Sequence, residues 1–457
     1  MAATLNRSVS ELVGPFEPLE PFEPHEPFEP LEPSAPRLCI GLLGLGRIGR
    51  AVADAAPALG IECRSALVRE PRKHLTSSLT LETDGLRVID SGIDVLVEVL
   101  GGTEPARSLV IGALDRGIPV VTANKSLMAA HGPELREVAA RAGVPLLYEA
   151  AVLAGVPFVG ALAGRPVMAS ATRIDGILNG TSHFITSAIE RGATFGEALA
   201  DANARGFAEP DSRADTSSRD AAEKLTILLH LCGAGHVTAA DICRRGIEML
   251  TPADFAAARR LGGSIKPVAC ASLEPGRCGS WAGPAFIAAG HPFAHFSGVT
   301  NALELRSATG EPILFAGPGA GPAVTAATIL DDVHTCSNGS NGSAGSWGSW
   351  GSVRSTGSVR GAVVRGARFD VSAARFDQPP ASRWFLRIVT EQISDAHLAE
   401  FLAARNVAAA RIERGADDIA VLTVPASWAV AQSAARTLEQ LGAFVTALPV
   451  VGREVPR

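Results

Sequence analysis

The sequence predicts an α/β protein built on a doubly wound parallel sheet, and three observations predict this fold class. Short apolar runs typical of buried parallel strands alternate with segments of helical periodicity over residues 37–150. The first run ends in a glycine-rich turn, Gly44 to Gly49, that leads directly into a helical pattern. The final segment, residues 381–457, follows the order β-α-β-β-α-β, which predicts a separate ferredoxin-like domain.

An N-terminal arm, residues 1–36, precedes the first strand. From residue 15 it reads PFEPLEPFEPHEPFEPLEP, with a Glu-Pro pair at every third residue. Proline at this density removes backbone donors and blocks helix formation, so we expect a disordered, extended arm near polyproline II. Recruitment of a proline-reading partner is the alternative interpretation of this repeat.

The glycine-rich turn predicts a dinucleotide site. It has the GxGxxG spacing between a strand and a helix that is typical of Rossmann-type domains. In that motif the first glycine makes the turn, the second lets the pyrophosphate approach the backbone, and the third lets the helix pack on the strand. The predicted cofactor contacts are Gly44, Gly46, Arg47, Ile48 and Gly49.

The end of the second strand bears on the choice of cofactor. This strand ends in Arg69, and Glu70, Arg72 and Lys73 follow. An NAD site usually has an acid here to hold the ribose hydroxyls, whereas a guanidinium suits the 2′-phosphate of NADP. We therefore predict a preference for NADP(H), with NAD(H) as the alternative. A solvated charged loop would explain the same residues without a cofactor.

Two later strands end in small or polar residues at the same edge of the predicted sheet. The run DVLVEVL leads into Gly101-Gly102, and IPVVT leads into Ala123-Asn124-Lys125. Ligands of open parallel sheets bind at the carboxyl ends of the strands, so Gly102 and Lys125 are predicted cofactor contacts. A surface lysine after a strand is common, so its position alone does not make Lys125 catalytic.

Residues 206–228, GFAEPDSRADTSSRDAAEKLTIL, place a cluster of acids before and at the start of a predicted helix. Asp220 and Lys224 are four residues apart and therefore share one face of that helix. An acid cluster with one lysine favours a pocket for a polar substrate. An acidic helix N-terminus with a surface ion pair explains the same pattern without any substrate.

Charge, cysteine spacing and hydropathy argue against nucleic-acid binding, cysteine-based structural sites and a membrane span. The 457 residues carry a formal net charge of −6 and no basic stripe, which argues against a nucleic-acid partner. The 7 cysteines are dispersed without a CxxC pair, so neither a zinc site nor a disulfide framework is predicted. No apolar run is long enough to span a membrane and no signal pattern is present, so we expect a cytoplasmic protein.

Six segments occur in order over residues 37–335, and they read GLLGLGRIG, VVTANKSLMAAHGPEL, YEAAVLAGVPFVGAL, GILNGTSHFI, GFAEPDSRADTSSRDAAEKLTIL and LFAGPGAGPAVTAATILDDV. Together they resemble the homoserine dehydrogenase family. The resemblance implies reversible NAD(P)-dependent reduction of aspartate 4-semialdehyde to L-homoserine, in threonine and methionine biosynthesis. It also implies that residues 151–335 form an α+β domain for catalysis and dimerisation, in a homodimer or homotetramer.

The resemblance assigns roles to individual residues. It implies that Lys125 and Lys224 face the reacting carbon, where an ammonium can stabilise charge on the substrate oxygen and donate a proton. Lys224 is the expected proton donor and Lys125 assists. The implied substrate contacts are Glu209, Asp215, Asp220, Asn179, Gly180 and Thr181. The implied sodium ligands are Glu149 and the carbonyls of Val152, Ala154 and Val156, and Gly321 is an implied cofactor contact.

Two positions depart from the family pattern. The NGT motif is followed by Ser182-His183 where the family usually has Asn in the second place, and Ser218 stands where it usually has glycine. If the backbone at that glycine position has φ > 0, Ser218 would be strained. Neither change removes a charged catalytic group, so we expect them to affect efficiency rather than reaction type.

The C-terminal third begins with a Gly/Ser-rich segment, residues 336–380, which predicts a flexible linker. Residues 381–457 resemble the ACT regulatory domain that bacterial homoserine dehydrogenases often carry, which implies threonine as an effector. The Asp-x-Pro-Gly turn usual after the first strand is absent, and Thr390-Glu391-Gln392-Ile393-Ser394 stands there instead. The pattern therefore favours the fold over effector binding.

Two other functions stay open at this point. One is an enzyme of the same layout that acts on another small amino-aldehyde or a β-keto substrate, although the three acids with Lys224 match an amino-acid ammonium. The other is a non-catalytic, cofactor-sensing relic, against which the retention of both lysines argues.

Overall fold

The computed structural model describes residues 38–74, 79–162, 165–208, 211–274, 277–308, 310–319, 321–340, 375–377, 382–390 and 393–451. The predicted arm, residues 1–36, and residues 341–374 of the predicted linker lie outside this set. Within the described ranges, no helix has both the length and the apolar character needed to cross a membrane.

The first sheet has six parallel strands in the order β3-β2-β1-β4-β5-β6. Its strands are β1 (Leu38–Leu43), β2 (Ile61–Leu67), β3 (Thr80–Glu82), β4 (Val95–Glu98), β5 (Val120–Thr122) and β6 (Leu146–Leu147). The chain winds outward from β1 in both directions, which confirms the predicted doubly wound sheet. The order reverses between β1 and β4, the place where such sheets bind ligands.

Helices cover both faces of this sheet. They are α1 (Arg47–Ala55), α2 (Gly85–Ile89), α3 (Ala106–Asp115), α4 (Lys125–Ala142) and α5 (Glu149–Val152). Leu43 and Leu96 belong to the core on the side of α3 and α4, whereas Ile40 and Val95 belong to the core on the side of α1. Burial on both faces explains why these strands are continuous apolar runs in the sequence.

The middle segment combines a mixed sheet with the helices that carry the predicted substrate residues. Its strands are β7 (Ala171–Ile177), β8 (Cys243–Arg244), β9 (Gly263–Glu274), β10 (Arg277–Ala288), β11 (Thr300–Ser307) and β12 (Ile313–Pro318). Its helices are α6 (Phe158–Leu162), α7 (Pro166–Ala169), α8 (Gly180–Glu190), α9 (Phe195–Ala204), α10 (Arg213–Thr216), α11 (Arg219–Leu231), α12 (Pro252–Arg260) and α13 (Pro322–Ser340). Helices α8, α11 and α12 all pack on β9.

Helix α13 returns to the first sheet. Its residues Ile329 and Val333 share a buried cluster with Ile40 of β1. The helix continues past Val333 to Ser340, because Cys336 is also buried against this sheet. The first residues of the predicted linker are therefore helical.

The C-terminal unit has the predicted ferredoxin-like topology. A short strand, β13 (Arg375–Asp377), precedes this unit in the chain and pairs with β10. The elements of the C-terminal unit are β14 (Trp384–Val389), α14 (Asp395–Ala403), β15 (Ala409–Arg414), β16 (Ile419–Thr423), α15 (Trp428–Gln440) and β17 (Phe444–Val451). The strands pair in the antiparallel order β17-β14-β16-β15, with the first and last strands side by side.

The C-terminal unit is docked on the middle segment through a shared sheet and a shared core. Strand β17 pairs in parallel with β10, with Val450 opposite Phe286, so the two sheets form one sheet of 11 strands. The rings of Phe286 and Phe385 stack with their centroids 5.6 Å apart. At the edge of this contact, the carboxylate of Asp418 accepts hydrogen bonds from Arg260 and Arg387. The sequence pattern does not predict this docking.

Candidate functional site

The glycine-rich turn has the geometry that its spacing predicts. Gly44 has φ 108°, and a Cβ atom there would lie 3.0 Å from the carbonyl oxygen of Val99. A Cβ atom on Gly49 would lie 2.1 Å from the oxygen of Gly44, so close packing requires glycine at both positions. Gly46 begins α1 with open space beside it and without a side-chain cap. The free amides of the first turn, where Arg47 and Ile48 lie, suit a phosphate.

The end of β2 carries the charged residues that bear on cofactor choice. Arg69 and Glu70 are both exposed there. The carboxylate of Glu70 forms an ion pair of 2.8 Å with Nζ of Lys73 in its own loop. Glu70 is therefore ion-paired within its own loop, and Arg69 follows β2 at the carboxyl end of the strand, the side on which such sheets bind ligands.

A buried glutamate that the sequence pattern did not single out holds the neighbouring strand ends. Glu98, the last residue of β4, is completely buried. Its carboxylate accepts hydrogen bonds from the Thr122 hydroxyl, from the Asn124 side-chain amide at 3.2 Å, and from the backbone amide of Leu100 at 2.8 Å. Burial raises the pKa of Glu98.

Asn124 connects Glu98 to the edge of the sheet at which the cofactor is predicted to bind. Its side-chain oxygen caps α4 by accepting from the amide of Leu127 at 3.0 Å, and its Nδ2 donates to the carbonyl of Gly102 at 2.7 Å. Lys125 is the first residue of α4, so the cap fixes where its side chain starts. Gly102 has φ 73°, a conformation that favours glycine.

Asp220 joins the two lysines. Its Oδ1 lies 3.1 Å from Nζ of Lys125, and its Oδ2 lies 3.1 Å from Nζ of Lys224. Nδ2 of Asn179 donates to the same Oδ2 at 2.8 Å. Burial alone would raise the pKa of Asp220, but the ammonium groups of Lys224 and Lys125 hold it well below its usual range. Asp220 is therefore an ionised, buried carboxylate.

The two lysines differ in their surroundings. Nζ of Lys224 also donates to the carbonyl of Leu178 at 2.8 Å, and its side chain is 12% exposed. The Lys125 side chain is 38% exposed, and the carboxylate of Asp220 raises its pKa. An ammonium has three donors, so Lys224 keeps one donor beyond its bonds to Asp220 and Leu178.

Asp215 completes the carboxylate cluster. Its Oδ1 accepts from Nδ2 of Asn179 at 2.6 Å, the same amide that contacts Asp220. Partial burial, and then the charge of Asp220, raise the pKa of Asp215. Both lysines form their ion pairs with Asp220, so a further cation beside Asp215 would stabilise the charged form of Asp215.

The NGT turn lies against this cluster. Asn179 caps α8 by accepting from the amide of Ser182 at 2.7 Å, and Gly180 is the first residue of the helix. The hydroxyl of Thr181 donates to the carbonyl of Phe207 at 2.6 Å. This carbonyl is two residues before Glu209, which lies outside the described residues.

The two departures from the family pattern have separate structural outcomes. His183 is completely buried, with Nδ1 2.8 Å from the carbonyl oxygen of Thr300, and burial lowers its pKa to about 4. Ser218 has φ 61°, so the strain expected for a serine at this position is present. Its hydroxyl donates to the carbonyl of Arg245 at 2.9 Å instead of capping α11.

The implied cation ligands lie around α5. Glu149 is buried and accepts hydrogen bonds from the amides of Val159, at 2.8 Å, and Gly160. Its own amide donates to the carboxylate of Asp332 at 3.1 Å. Burial raises the pKa of Glu149, and burial followed by the charge of Glu149 raises the pKa of Asp332 to about 7. Val152, Ala154 and Val156 are buried nearby in sequence.

Gly321 lies at the start of α13, the helix that packs on α1. Its φ of 130° lies in a region that favours glycine, and its carbonyl accepts from the amide of Thr325 at 2.9 Å.

Of the predicted site residues, the structure brings Lys125, Asn179, Asp215, Asp220 and Lys224 into one cluster. The glycine turn, Glu149 and Gly321 lie on other elements.

Comparison with known proteins identifies the family. The family model described as "Homoserine dehydrogenase" matches residues 157–334, and the model "Homoserine dehydrogenase, NAD binding domain" matches residues 44–149. A homoserine dehydrogenase of Mycobacterium tuberculosis is 37% identical over 312 residues, which are 64% of this chain and 71% of that protein. The chain belongs to the homoserine dehydrogenase family. It is therefore an oxidoreductase with a confirmed NAD-binding Rossmann-type domain.

Other homoserine dehydrogenases are similar in sequence and structure. The protein of Synechocystis is 38% identical over 318 residues, covering 64% of this chain and 72% of its own. The crystal structure of the enzyme from Thiobacillus denitrificans superposes with a TM-score of 0.75 at 29% identity, covering 91% of this chain and 98% of that one. A hyperthermophilic archaeal homoserine dehydrogenase in complex with NADPH gives a TM-score of 0.56 at 25% identity, over 66% and 98%.

Proposed function

We propose that this homoserine dehydrogenase prefers NADP(H) and reversibly reduces aspartate 4-semialdehyde to L-homoserine, in the biosynthesis of threonine and methionine. The observation that carries the proposal is the cluster in which Asp220 contacts both Lys125 and Lys224 at 3.1 Å. It combines proton donors with a desolvated carboxylate beside the edge of a dinucleotide-binding sheet. That combination suits the reduction of a carbonyl group in an amino acid.

Lys224 is the proposed proton donor. A nicotinamide cofactor held at the glycine turn would supply the hydride to the aldehyde carbon, which would place negative charge on the substrate oxygen. The ammonium of Lys224, oriented by Asp220 and the carbonyl of Leu178, stabilises that charge and delivers its proton to the oxygen. Lys125 adds positive charge from the cofactor side. In the reverse direction the neutral amine of Lys224 accepts the proton of the homoserine hydroxyl.

The acids divide the remaining tasks. Asp220 is already satisfied by two ammonium groups and by Asn179, so we assign it to orienting the lysines. Asp215 and Glu209 are the proposed contacts of the substrate α-ammonium. The raised pKa of Asp215 supports this, because a substrate cation would compensate the charge that burial and Asp220 disfavour. Gly180 and Thr181 line the same turn.

The residues of the glycine turn fit a dinucleotide. The open space beside Gly46 and the uncapped amides of α1 suit a pyrophosphate. Arg69 is the proposed contact of the 2′-phosphate, and the pairing of Glu70 with Lys73 removes the acid that would otherwise hold ribose hydroxyls. The archaeal relative in complex with NADPH supports the same choice. Gly102 and Gly321 are proposed to contact the cofactor through their backbones.

A sodium ion is proposed at Glu149. The donor set is all oxygen, as hard cations prefer, and includes the carbonyls of Val152, Ala154 and Val156. The Asp332 carboxylate accepts a hydrogen bond from the backbone amide of the buried Glu149, and the charge of Glu149 raises the pKa of Asp332, so a cation would offset negative charge here. Within the described residues no three His, Cys, Asp or Glu side chains gather at a metal site, and the proposed set accordingly has one carboxylate and three backbone carbonyls.

Further proposals concern the whole assembly. Residues 381–457 are proposed to be an ACT-like domain, on the support of the β17-β14-β16-β15 sheet order. A threonine effector, a homodimer or homotetramer and a cytoplasmic location stay predictions.

The test is turnover of the purified full chain. Aspartate 4-semialdehyde with NADPH, and L-homoserine with NADP, should both react, and the product of the first reaction should be homoserine by mass spectrometry. A chain that binds NADPH but turns over neither substrate would instead favour the cofactor-sensing relic. Faster turnover of another amino-aldehyde would favour the related dehydrogenase.

A further inference from the structure

Ser218 is held in a costly conformation two residues before Asp220. Its φ of 61° and ψ of 19° are left-handed, a region in which a serine is destabilised by about 1–2 kcal/mol. The residue is buried, and its amide donates to the carbonyl of Asp215 at 3.2 Å. Ser218 therefore connects the backbone of the acid cluster to the first turn of α11.

The partner of the Ser218 hydroxyl belongs to a segment clamped from two sides. Ser218 Oγ donates to the carbonyl of Arg245 at 2.9 Å. The amide of Arg245 donates to the carbonyl of Ala282 in β10 at 3.0 Å. Its guanidinium donates through Nη1 to the carbonyl of Ala447 in β17 at 2.7 Å. One residue thus contacts both the catalytic helix and the last strand of the C-terminal unit.

A second bond ties the same segment to the acid cluster. The amide of Ile247 donates to the carbonyl of Thr216 at 2.9 Å, next to Asp215. Ile247 is completely buried in the core that the C-terminal unit shares with the middle segment. The turn between α10 and α11 therefore forms two hydrogen bonds with residues 245–247, and Arg245 in turn forms hydrogen bonds with β10 and β17.

We propose that Ser218 is a positioning residue for Asp220, and that Arg245 couples this position to β17 of the C-terminal unit. This rests on the proposed role of Asp220. The carboxylate of Asp220 must meet two ammonium groups on different helices at 3.1 Å each, so a small shift of the first turn of α11 breaks one contact. The C-terminal unit thereby contributes to the geometry of the active site without contacting the substrate.

Four single variants separate positioning from stability. Ser218→Gly removes the hydroxyl but accommodates φ 61°, so the thermal midpoint should stay within about 2 °C of wild type while kcat/KM for aspartate 4-semialdehyde falls about 3- to 10-fold. Arg245→Met should lower kcat/KM similarly, and Arg245→Lys should restore most of it. Arg244→Met, at the exposed neighbouring position, is the matched control and should match wild type. KM for NADPH should be unchanged throughout.

Coupling is measured by combining the variants. Ser218→Gly with Arg245→Met should cost little more than either change alone, because each change breaks a different contact in the same series that runs from β17 through Arg245 to Ser218. Full additivity would overturn the coupling, and a wild-type kcat/KM in Ser218→Gly would overturn the positioning role. Hydrogen exchange of the full chain gives a readout that needs no turnover. Exchange in the first turn of α11 should be faster in Arg245→Met than in Arg244→Met, and equal exchange would reject the proposal even if the proposed function failed.

Discussion

Replacement of Lys224 by methionine tests the assignment of the proton donor. Methionine keeps an unbranched stem of similar length but has no ammonium. The change removes the 3.1 Å ion pair with Asp220 and the 2.8 Å hydrogen bond to Leu178. Asp220 keeps Lys125 and Asn179 as partners, so the fold should survive.

The magnitude follows from the role of the lost group. A positioned general acid contributes about 10²–10⁴-fold to a rate. Since each tenfold corresponds to about 1.4 kcal/mol, Lys224→Met should raise the barrier by about 3–5 kcal/mol. The loss should fall mainly on kcat, because Asp215 still holds the substrate ammonium in this account.

The assay is NADPH consumption with aspartate 4-semialdehyde, run beside thermal unfolding. Lys266→Met is the matched control, because Lys266 is also buried and ion-paired, to Glu190 at 3.1 Å, but lies on β9 outside the cluster. It should lose stability and keep kcat. If Lys224→Met retained kcat within about tenfold of wild type, Lys224 would not be the proton donor.

Three further outcomes follow from the structure. Arg69→Ser should raise KM for NADPH about tenfold or more and leave KM for NADH nearly unchanged; equal changes would contradict the 2′-phosphate contact. Replacing sodium with choline should lower the activity of wild type but not of Glu149→Gln. If choline lowered the activity of both equally, the cation would act at another site. Burial lowers the pKa of His183 from 6.5 to about 4. The unfolded chain therefore binds more protons between these values, and stability should fall by up to about 3 kcal/mol as pH drops from 6.5 to 4. Urea unfolding of His183→Asn should show a smaller pH dependence, whereas the exposed His397→Asn should behave as wild type.

Local patterns predicted the elements of the fold well. The order β-α-β-β-α-β predicted for residues 381–457 is present, and its last two elements are the helix Trp428–Gln440 and the strand Phe444–Val451. Both elements could be predicted because helical periodicity, strand alternation and turn residues are all visible within a short window of sequence. The pairing of Phe286 with Val450 could not be predicted in this way, because nothing local relates two strands so far apart in the chain.

The candidate site shows the same limit. Helical spacing predicted the contact of Asp220 with Lys224, but the approach of Lys125 came from family resemblance. Glu98 was overlooked because its apolar neighbours predicted a plain buried strand; a single acid at the end of such a run was the available signal. The strain at Ser218 was expected, whereas its bond to Arg245 depends on tertiary structure.

The substrate assignment is tested most directly by comparing two aldehydes that differ by one amino group. The kcat/KM for aspartate 4-semialdehyde should exceed that for succinate semialdehyde by at least about 100-fold, because the latter leaves Asp215 without a cation. Asp215→Asn should reduce this preference strongly. Equal kcat/KM values for the two aldehydes, or no turnover of aspartate 4-semialdehyde, would contradict the account.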